Sequence, residues 1–248
     1  MMGDFSSFVI ETVRAFNRLW LRRGLFLRHC EFIGVSSTGV VVIAAAFMGA
    51  VLGHQLYTSF SLFGAEALVG GTVGLSLYRE LGPVMTAIMV TGRAGAAIAA
   101  EIATMKVSEQ VDALEVMAVD PIEYLVAPRV LAGFLMVPLL SIFYSTVASV
   151  LGAAVACGIK GLDPSVYWSQ FARYVDASDL GHCVVKGAFF GMALTLVACF
   201  YGMRAHGGAR AVGAAARNTV VISCLLVLLL DYILTSVLPM GLTYLKVC

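Results

Sequence analysis

The sequence predicts an all-α integral membrane protein, with an N-terminal interfacial amphipathic helix followed by five transmembrane helices. Three observations carry that prediction. Of the 248 residues, 60% are hydrophobic and only 12% are charged, against about a quarter charged in a soluble domain. From Phe32 to Ala65 there is no Asp, Glu, Lys or Arg, which exceeds the ~20 apolar residues needed to cross a bilayer core. Further apolar runs of similar character follow, separated by short charged segments. A bilayer solvates apolar side chains on the outside of a protein as well as the inside, so such a composition is stable there and not in water.

The elements follow in order. Phe5, Phe8, Val9, Thr12, Val13, Phe16, Leu19 and Trp20 recur at three- and four-residue spacing, while Arg14, Arg18 and Arg22 lie four apart on another face. This is the pattern of a helix lying in the membrane interface; a helix packed on its own protein is the competing reading. Span one covers Phe32–Ala65, and Gly64 marks a turn. Span two runs from near Ala67 to Ala100 and contains Arg79-Glu80 and Gly82-Pro83, so a proline kink or a break into two pieces is expected. Residues 101–129 are the most charged internal stretch. Span three covers about Val130–Ile159, and residues 160–182 form a polar segment. Span four covers about Cys183–Met203. Span five covers about Asn218–Tyr244 and carries Asp231. Residues 1–248 read as one domain, about 5–30 the interfacial helix and about 32–248 the transmembrane bundle.

Arginines precede span one and lie between spans four and five at Arg204, Arg210 and Arg217. The positive-inside rule puts both clusters in the cytoplasm, with the N-terminus cytoplasmic and the C-terminus on the opposite side. The acidic 101–129 loop is then cytoplasmic too. Acidic residues weigh little in that rule, so this loop is suited to meeting something other than anionic lipid.

Composition and motifs exclude several functions. A net charge of +1 gives no sign of nucleic-acid binding. The six cysteines contain no C-x-x-C pair and read as free thiols in apolar surroundings. The four histidines are isolated, with no metal-ligand spacing. The first 30 residues lack the uninterrupted apolar core of a cleaved signal. There is no G-x-x-x-x-G-K-[ST] loop, H-E-x-x-H helix or G-x-S-x-G elbow, so no ATP site and no common hydrolase site is expected in this chain.

What remains is a short set of polar residues in apolar surroundings. Arg79 and Glu80 lie inside span two, where ionisable groups cost a few kcal/mol each on insertion scales. They read either as a structural ion pair or as the polar lining of a substrate cavity. Lys186, near the expected start of span four, is placed to snorkel. Asp231 sits deeper in span five. Small residues at Gly92/Ala96 and Gly95/Ala99 suit close helix packing, within the chain or between two copies. Ser108 has the chemistry of an N-cap, with Glu109 favourable to the helix dipole. Beyond it, Val111, Leu114 and Ala118 form one stripe, and Glu109, Asp112 and Glu115 another. Asp120-Pro121 is a stop signal. That short helix reads equally as a surface element or as a lever fitting a cytoplasmic partner.

The segments Arg79-Glu80-Leu81-Gly82-Pro83-Val84, Gly92-Arg93-Ala94-Gly95 and Ala100-Glu101-Ile102 come first in an ordered series. Met105, Glu109-Gln110 and Glu115-Val116-Met117-Ala118-Val119-Asp120-Pro121 continue it. Pro128-Arg129, Lys186, Asn218-Thr219-Val220-Val221 and Asp231-Tyr232-Ile233-Leu234-Thr235 complete it. Together they resemble the MlaE/YrbE permease family over nearly the whole chain. The resemblance implies the membrane subunit of an ATP-binding-cassette system that moves phospholipid or a related lipid, placed in a bacterial-type inner membrane. It implies a homodimer working with a separate ATPase that binds ATP and Mg, often with a small STAS-domain protein, and with an MCE-domain protein on the far side. It places the coupling helix at about Ser108–Met117, with Ser108, Glu109, Asp112, Leu114 and Glu115 as its contacts, and a polar pair at Arg79-Glu80 near a lipid cavity. Leu81, Lys186 and Asp231 are assigned to the same pathway. The main competing class is a proton-coupled secondary transporter relaying protons through Asp231 and Glu80. An intramembrane enzyme and a non-catalytic scaffold are further alternatives.

Overall fold

A computed structural model describes residues 2–15 and 23–238. These are helical almost throughout. Five helical stretches among the described residues are long and apolar enough to cross a membrane: Gly24–Ser61, Glu66–Val107, Ile122–Gly158, Ala177–Met203 and Ala209–Val237. The expected all-α membrane architecture is therefore observed. The helices are labelled in chain order: α1 Met2–Ala15, α2 Arg23–Ile33, α3 Thr38–Ser61, α4 Val69–Ser76, α5 Gly82–Val90, α6 Ala96–Val107, α7 Gln110–Val116, α8 Ala127–Gly158, α9 Pro164–Tyr174, α10 Ala177–Met203 and α11 Ala209–Val237.

Contacts divide the chain into two compact units. One comprises Met1–Ser37, Ala87–Val137 and Ala188–Leu230, the other Thr38–Thr86, Pro138–Gly187 and Asp231–Cys248.

In the first unit, α1 is amphipathic as its spacing requires. Thr12 and Ala15 are buried, and Phe5 and Phe8 meet Phe200 edge-on at 5.1 and 5.7 Å. Ile10 and Val13 stay exposed on another face. The apolar stripe read for the membrane interface is thus divided: α1 packs one face on its own protein and keeps a second apolar face, with Val13, exposed. Phe16, Leu19, Trp20, Arg18 and Arg22, also read as part of this helix, lie outside the described residues. Elsewhere in the unit, Arg93 ties the end of α2 to span two. Its guanidinium donates to the Phe32 carbonyl and the Ser37 hydroxyl, each at 2.9 Å, and lies over the Phe32 ring. Gly133 on α8 and Gly191 on α10 are in backbone contact, so a Cβ at either position meets the other strand of packing.

In the second unit, small residues again set how closely helices approach. Gly49 and Gly53 on α3 lie against the backbone of Ala148 and Gly152 on α8, and Gly70 on α4 lies against the Tyr167 backbone on α9. Van der Waals contact of this kind is the main attraction between helices in lipid. Polar rivets add to it: Ser145 Oγ donates to the Leu77 carbonyl at 3.1 Å, and the Tyr167 hydroxyl donates to the Ser149 carbonyl at 3.2 Å.

Span two is one helical stretch across Gly82-Pro83 rather than two separate pieces. The reason lies in a π turn at Leu77–Leu81, where the Gly82 amide bonds the Leu77 carbonyl. Pro83 has no N–H to offer, and the widened turn absorbs that loss without separating two helices. A second π turn occupies Thr91–Gly95. Several ends also lie further out than the charges suggested. Span two continues to Val107. Span three starts at Ile122, because the Asp120 carboxylate accepts from the Ile122 amide at 2.9 Å and Pro121 tolerates a first helical position. Span four starts at Ala177 and span five at Ala209. The polar 160–182 segment holds α9, capped by the Asp163 carboxylate on the Ser165 amide at 2.7 Å.

Candidate substrate and coupling sites

Consecutive side chains on a helix leave its axis about 100° apart. Arg79 and Glu80 accordingly face different partners, both on α10 of the second unit: Asp179 for Arg79 and Lys186 for Glu80. Arg79 Nε meets the fully buried Asp179 carboxylate on α10 at 2.5 Å. The other Asp179 oxygen accepts from the Asp176 amide at 2.8 Å. Asp179 was not among the residues singled out from the sequence, since it lay in a stretch read as a polar loop.

Glu80 turns instead to Lys186. The ammonium is 1% exposed and lies 2.5 Å from Glu80 Oε2, 2.9 Å from Asp231 Oδ1 and 2.8 Å from Thr235 Oγ1. All three hydrogens of the ammonium thus have acceptors, the condition under which a buried charge is tolerable. Thr235 donates in turn to the Asp231 carbonyl at 2.7 Å. Lys186 does not snorkel to a helix end as expected, because α10 begins at Ala177 and places this residue inside the span. Three of the candidate residues, Glu80, Lys186 and Asp231, converge; Arg79 joins a neighbouring pair, and Leu81 is half-buried. Thr235 completes the cluster, four residues beyond Asp231 on the same helical face.

One ammonium faces two carboxylates here. Glu80 keeps 42% of its side chain exposed and Asp231 21%. The cluster therefore has a sealed cationic core and an accessible acidic side. It is able to hold a polar or cationic group while apolar helix surface surrounds it.

The second candidate region lies in the first unit. Ser108 is not an N-cap. It ends α6, and its hydroxyl donates back to the Thr104 carbonyl at 2.8 Å. Glu109 precedes α7 with φ 59° and makes no side-chain cap, a left-handed conformation costing a non-glycine residue about 1–2 kcal/mol. That sharp reversal separates α6 from α7, and Lys106 bridges it to Asp112 at 2.5 Å. Val111 is buried and Leu114 half-buried, as the stripe predicts, whereas Ala118 falls outside the helix at φ 57°. Asp120-Pro121 is not the stop. The Ala118 amide bonds the Glu115 carbonyl at 3.0 Å and the Val119 amide bonds that of Leu114 at 2.9 Å, a Schellman cap with alanine in the usual glycine place. This cap leaves Val116 89% and Met117 63% exposed beside the exposed Glu115. Neither apolar residue belonged to a stripe read from spacing. Their exposure arises from where the helix stops.

The family model described as Permease MlaE matches residues 26–237. The chain belongs to the MlaE permease family. A Rickettsia felis protein named "Probable ABC transporter permease protein" is 41% identical over 237 residues, covering 95% of this chain and 91% of the relative. The Haemophilus influenzae "Intermembrane phospholipid transport system permease protein MlaE" is 40% identical over 215 residues, covering 86% and 82%. Arabidopsis thaliana "Protein TRIGALACTOSYLDIACYLGLYCEROL 1, chloroplastic" is 34% identical over 210 residues, covering 85% and 60%. The chain is a multi-pass permease subunit of an ABC transporter, a transport component rather than an enzyme. As a MlaE-family permease it works with an ATPase and with a substrate-binding component.

Proposed function

We propose that this permease moves a phospholipid or related lipid through a bacterial-type inner membrane, with its N-terminus in the cytoplasm and its C-terminus on the other side. The whole chain acts as one permease domain. Two copies line the pathway, and the ATP and Mg that power it reside in the partner ATPase. A STAS-domain protein on the ATPase side and an MCE-domain protein on the far side complete the set. Support for the lipid comes from the name of the Haemophilus relative at 40% identity and from the chemistry of the polar cluster.

The observation that carries the reading is the Lys186 cluster inside apolar spans. An amphiphile needs apolar wall for its chains and a few polar groups for its head. Glu80, Lys186 and Asp231 supply the second, with Arg79 and Leu81 beside them on span two. The coupling step falls to residues 108–117. Val116, Met117, Leu114 and Glu115 are the surface that the ATPase grips, while Ser108, Glu109 and Asp112 hold the reversal between α6 and α7.

The test is lipid transfer between vesicles by the reconstituted complex. ATP-dependent transfer that is lost in Glu80→Arg, in a variant that still assembles, is the expected result. Normal transfer in Glu80→Arg removes the cluster from the pathway. Transfer driven by a proton gradient without ATP replaces this mechanism with proton relay through Glu80 and Asp231.

A further inference from the structure

A cavity of about 460 Å³ in the first unit is independent of the Lys186 cluster and of α7. Arg28 and His29 on α2, Glu101 on α6, and Tyr124 and Arg129 at the start of span three line it. Its cationic groups outnumber its single carboxylate, and that carboxylate is already engaged: Glu101 meets Arg129 at 2.9 Å. Arg129 is only 3% exposed, donates to the Leu125 carbonyl at 2.7 Å, and keeps one buried donor, Nε–H, without an acceptor. Leaving a buried donor unmade is costly, and a guanidinium's planar fork matches the oxygens of phosphate as it does those of carboxylate. Arg28, by contrast, is exposed at the rim.

Position in the chain says which anion is available. Arg28 and His29 on α2 lie in the first turns of span one, Glu101 lies near the end of span two, and Tyr124 and Arg129 lie in the first turns of span three. One crossing out and one back place all three on the same membrane face, near the ends of their spans, where an anionic leaflet presents its headgroups. Phe32 and Leu125 add apolar wall, and Leu27 in the middle of α2 and Val35 just beyond it are exposed, which suits an attached acyl chain and not a free ion.

We propose that this cavity holds the phosphate headgroup of an anionic phospholipid taken from the surrounding leaflet, between Arg28, His29 and the unmatched Arg129 donor. The bound lipid ties α2 to spans two and three. This site is separate from the transport pathway, and its existence does not depend on which lipid the permease moves.

The purified full-length chain in detergent tests it by calorimetric titration with dihexanoyl phosphatidylglycerol, dihexanoyl phosphatidylcholine and inorganic phosphate. The expected result is saturable binding of the glycerol lipid alone. Arg28→Gln weakens it about tenfold, as loss of one charge-assisted contact should, while Arg14→Gln, on α1, leaves it unchanged. Arg129→Lys keeps the charge but not the fork, and lowers affinity as well. Because Arg129 is buried, Arg28→Gln decides the matter if Arg129→Lys fails to fold. Equal binding of the choline lipid, equal binding of inorganic phosphate, or unchanged affinity in Arg28→Gln overturns the proposal.

Discussion

Lys186 Nζ lies 2.9 Å from Asp231 Oδ1 across 45 positions of sequence, joining α10 to the end of α11. The same ammonium reaches Glu80 on span two. One buried cation thus holds three membrane helices of the second unit, and the energetics of that arrangement are testable.

Replacing Lys186 with methionine leaves Glu80 and Asp231 as facing like charges. Breaking a buried pair by removing one partner costs about 3–5 kcal/mol, and the exposure of Glu80 places this case at the low end. A fall in the thermal midpoint of purified Lys186→Met, partly restored by adding Asp231→Asn, is the expected outcome. Unaltered stability in the single variant is incompatible with the cluster.

Asp179 is fully buried and serves both Arg79 and the Asp176 amide. Asp179→Ala removes the carboxylate that both donors meet, and a loss of about 3 kcal/mol is expected. A double-mutant cycle with Arg79→Ala should return a coupling above about 1 kcal/mol. Zero coupling separates the two residues.

Gly53 abuts the Gly152 backbone, whereas a Cβ at Gly92 meets nothing within 4 Å. Gly53→Val must push backbone aside and should cost about 1–3 kcal/mol or more. Gly92→Leu has room within one chain, so its folding stability should hold. If Gly92 and Ala96 face a second copy, Gly92→Leu lowers the dimer fraction in crosslinking or light scattering. An intact dimer assigns that contact elsewhere.

Val116 is 89% exposed at the capped end of α7. Val116→Asp should leave the folding free energy within about 0.5 kcal/mol of wild type, as surface changes usually do. The same change, like Leu114→Asp, should abolish co-purification of the ATPase. Retained complex in both variants removes α7 from the coupling surface.

Outside the spans, hydrogen bonds from Ser165 hold the Asp163 carboxyl below its ordinary 3.8. The proton-free form is the one that caps α9. This contribution is present above pH 3.8 and is lost as pH falls through the lower folded value. Amide protection at the start of α9 should drop on such acidification, and Asp163→Asn should flatten the dependence.

The sequence by itself determined the class of this protein and its five crossings, because charge-free length against bilayer thickness is a property of a single segment. Phe32–Ala65 needs no partner to be read as a span. The Val111 and Leu114 stripe was legible for the same reason, as was the presence of something costly at Arg79, Glu80, Lys186 and Asp231. Local chemistry misled where a residue suits two roles: Ser108 and Asp120 both carry capping side chains, and only the reversal at Glu109 and the cap at Ala118 decided which end each one serves. The tertiary structure alone decided the pairings. Arg79 and Asp179 are 100 positions apart and Lys186 and Glu80 are 106. Which carboxylate meets which cation depends on helix rotation and register, and these are constrained by close contacts such as Gly82 on Ser145 and Gly187 on Pro138, which leave no trace in the charge pattern.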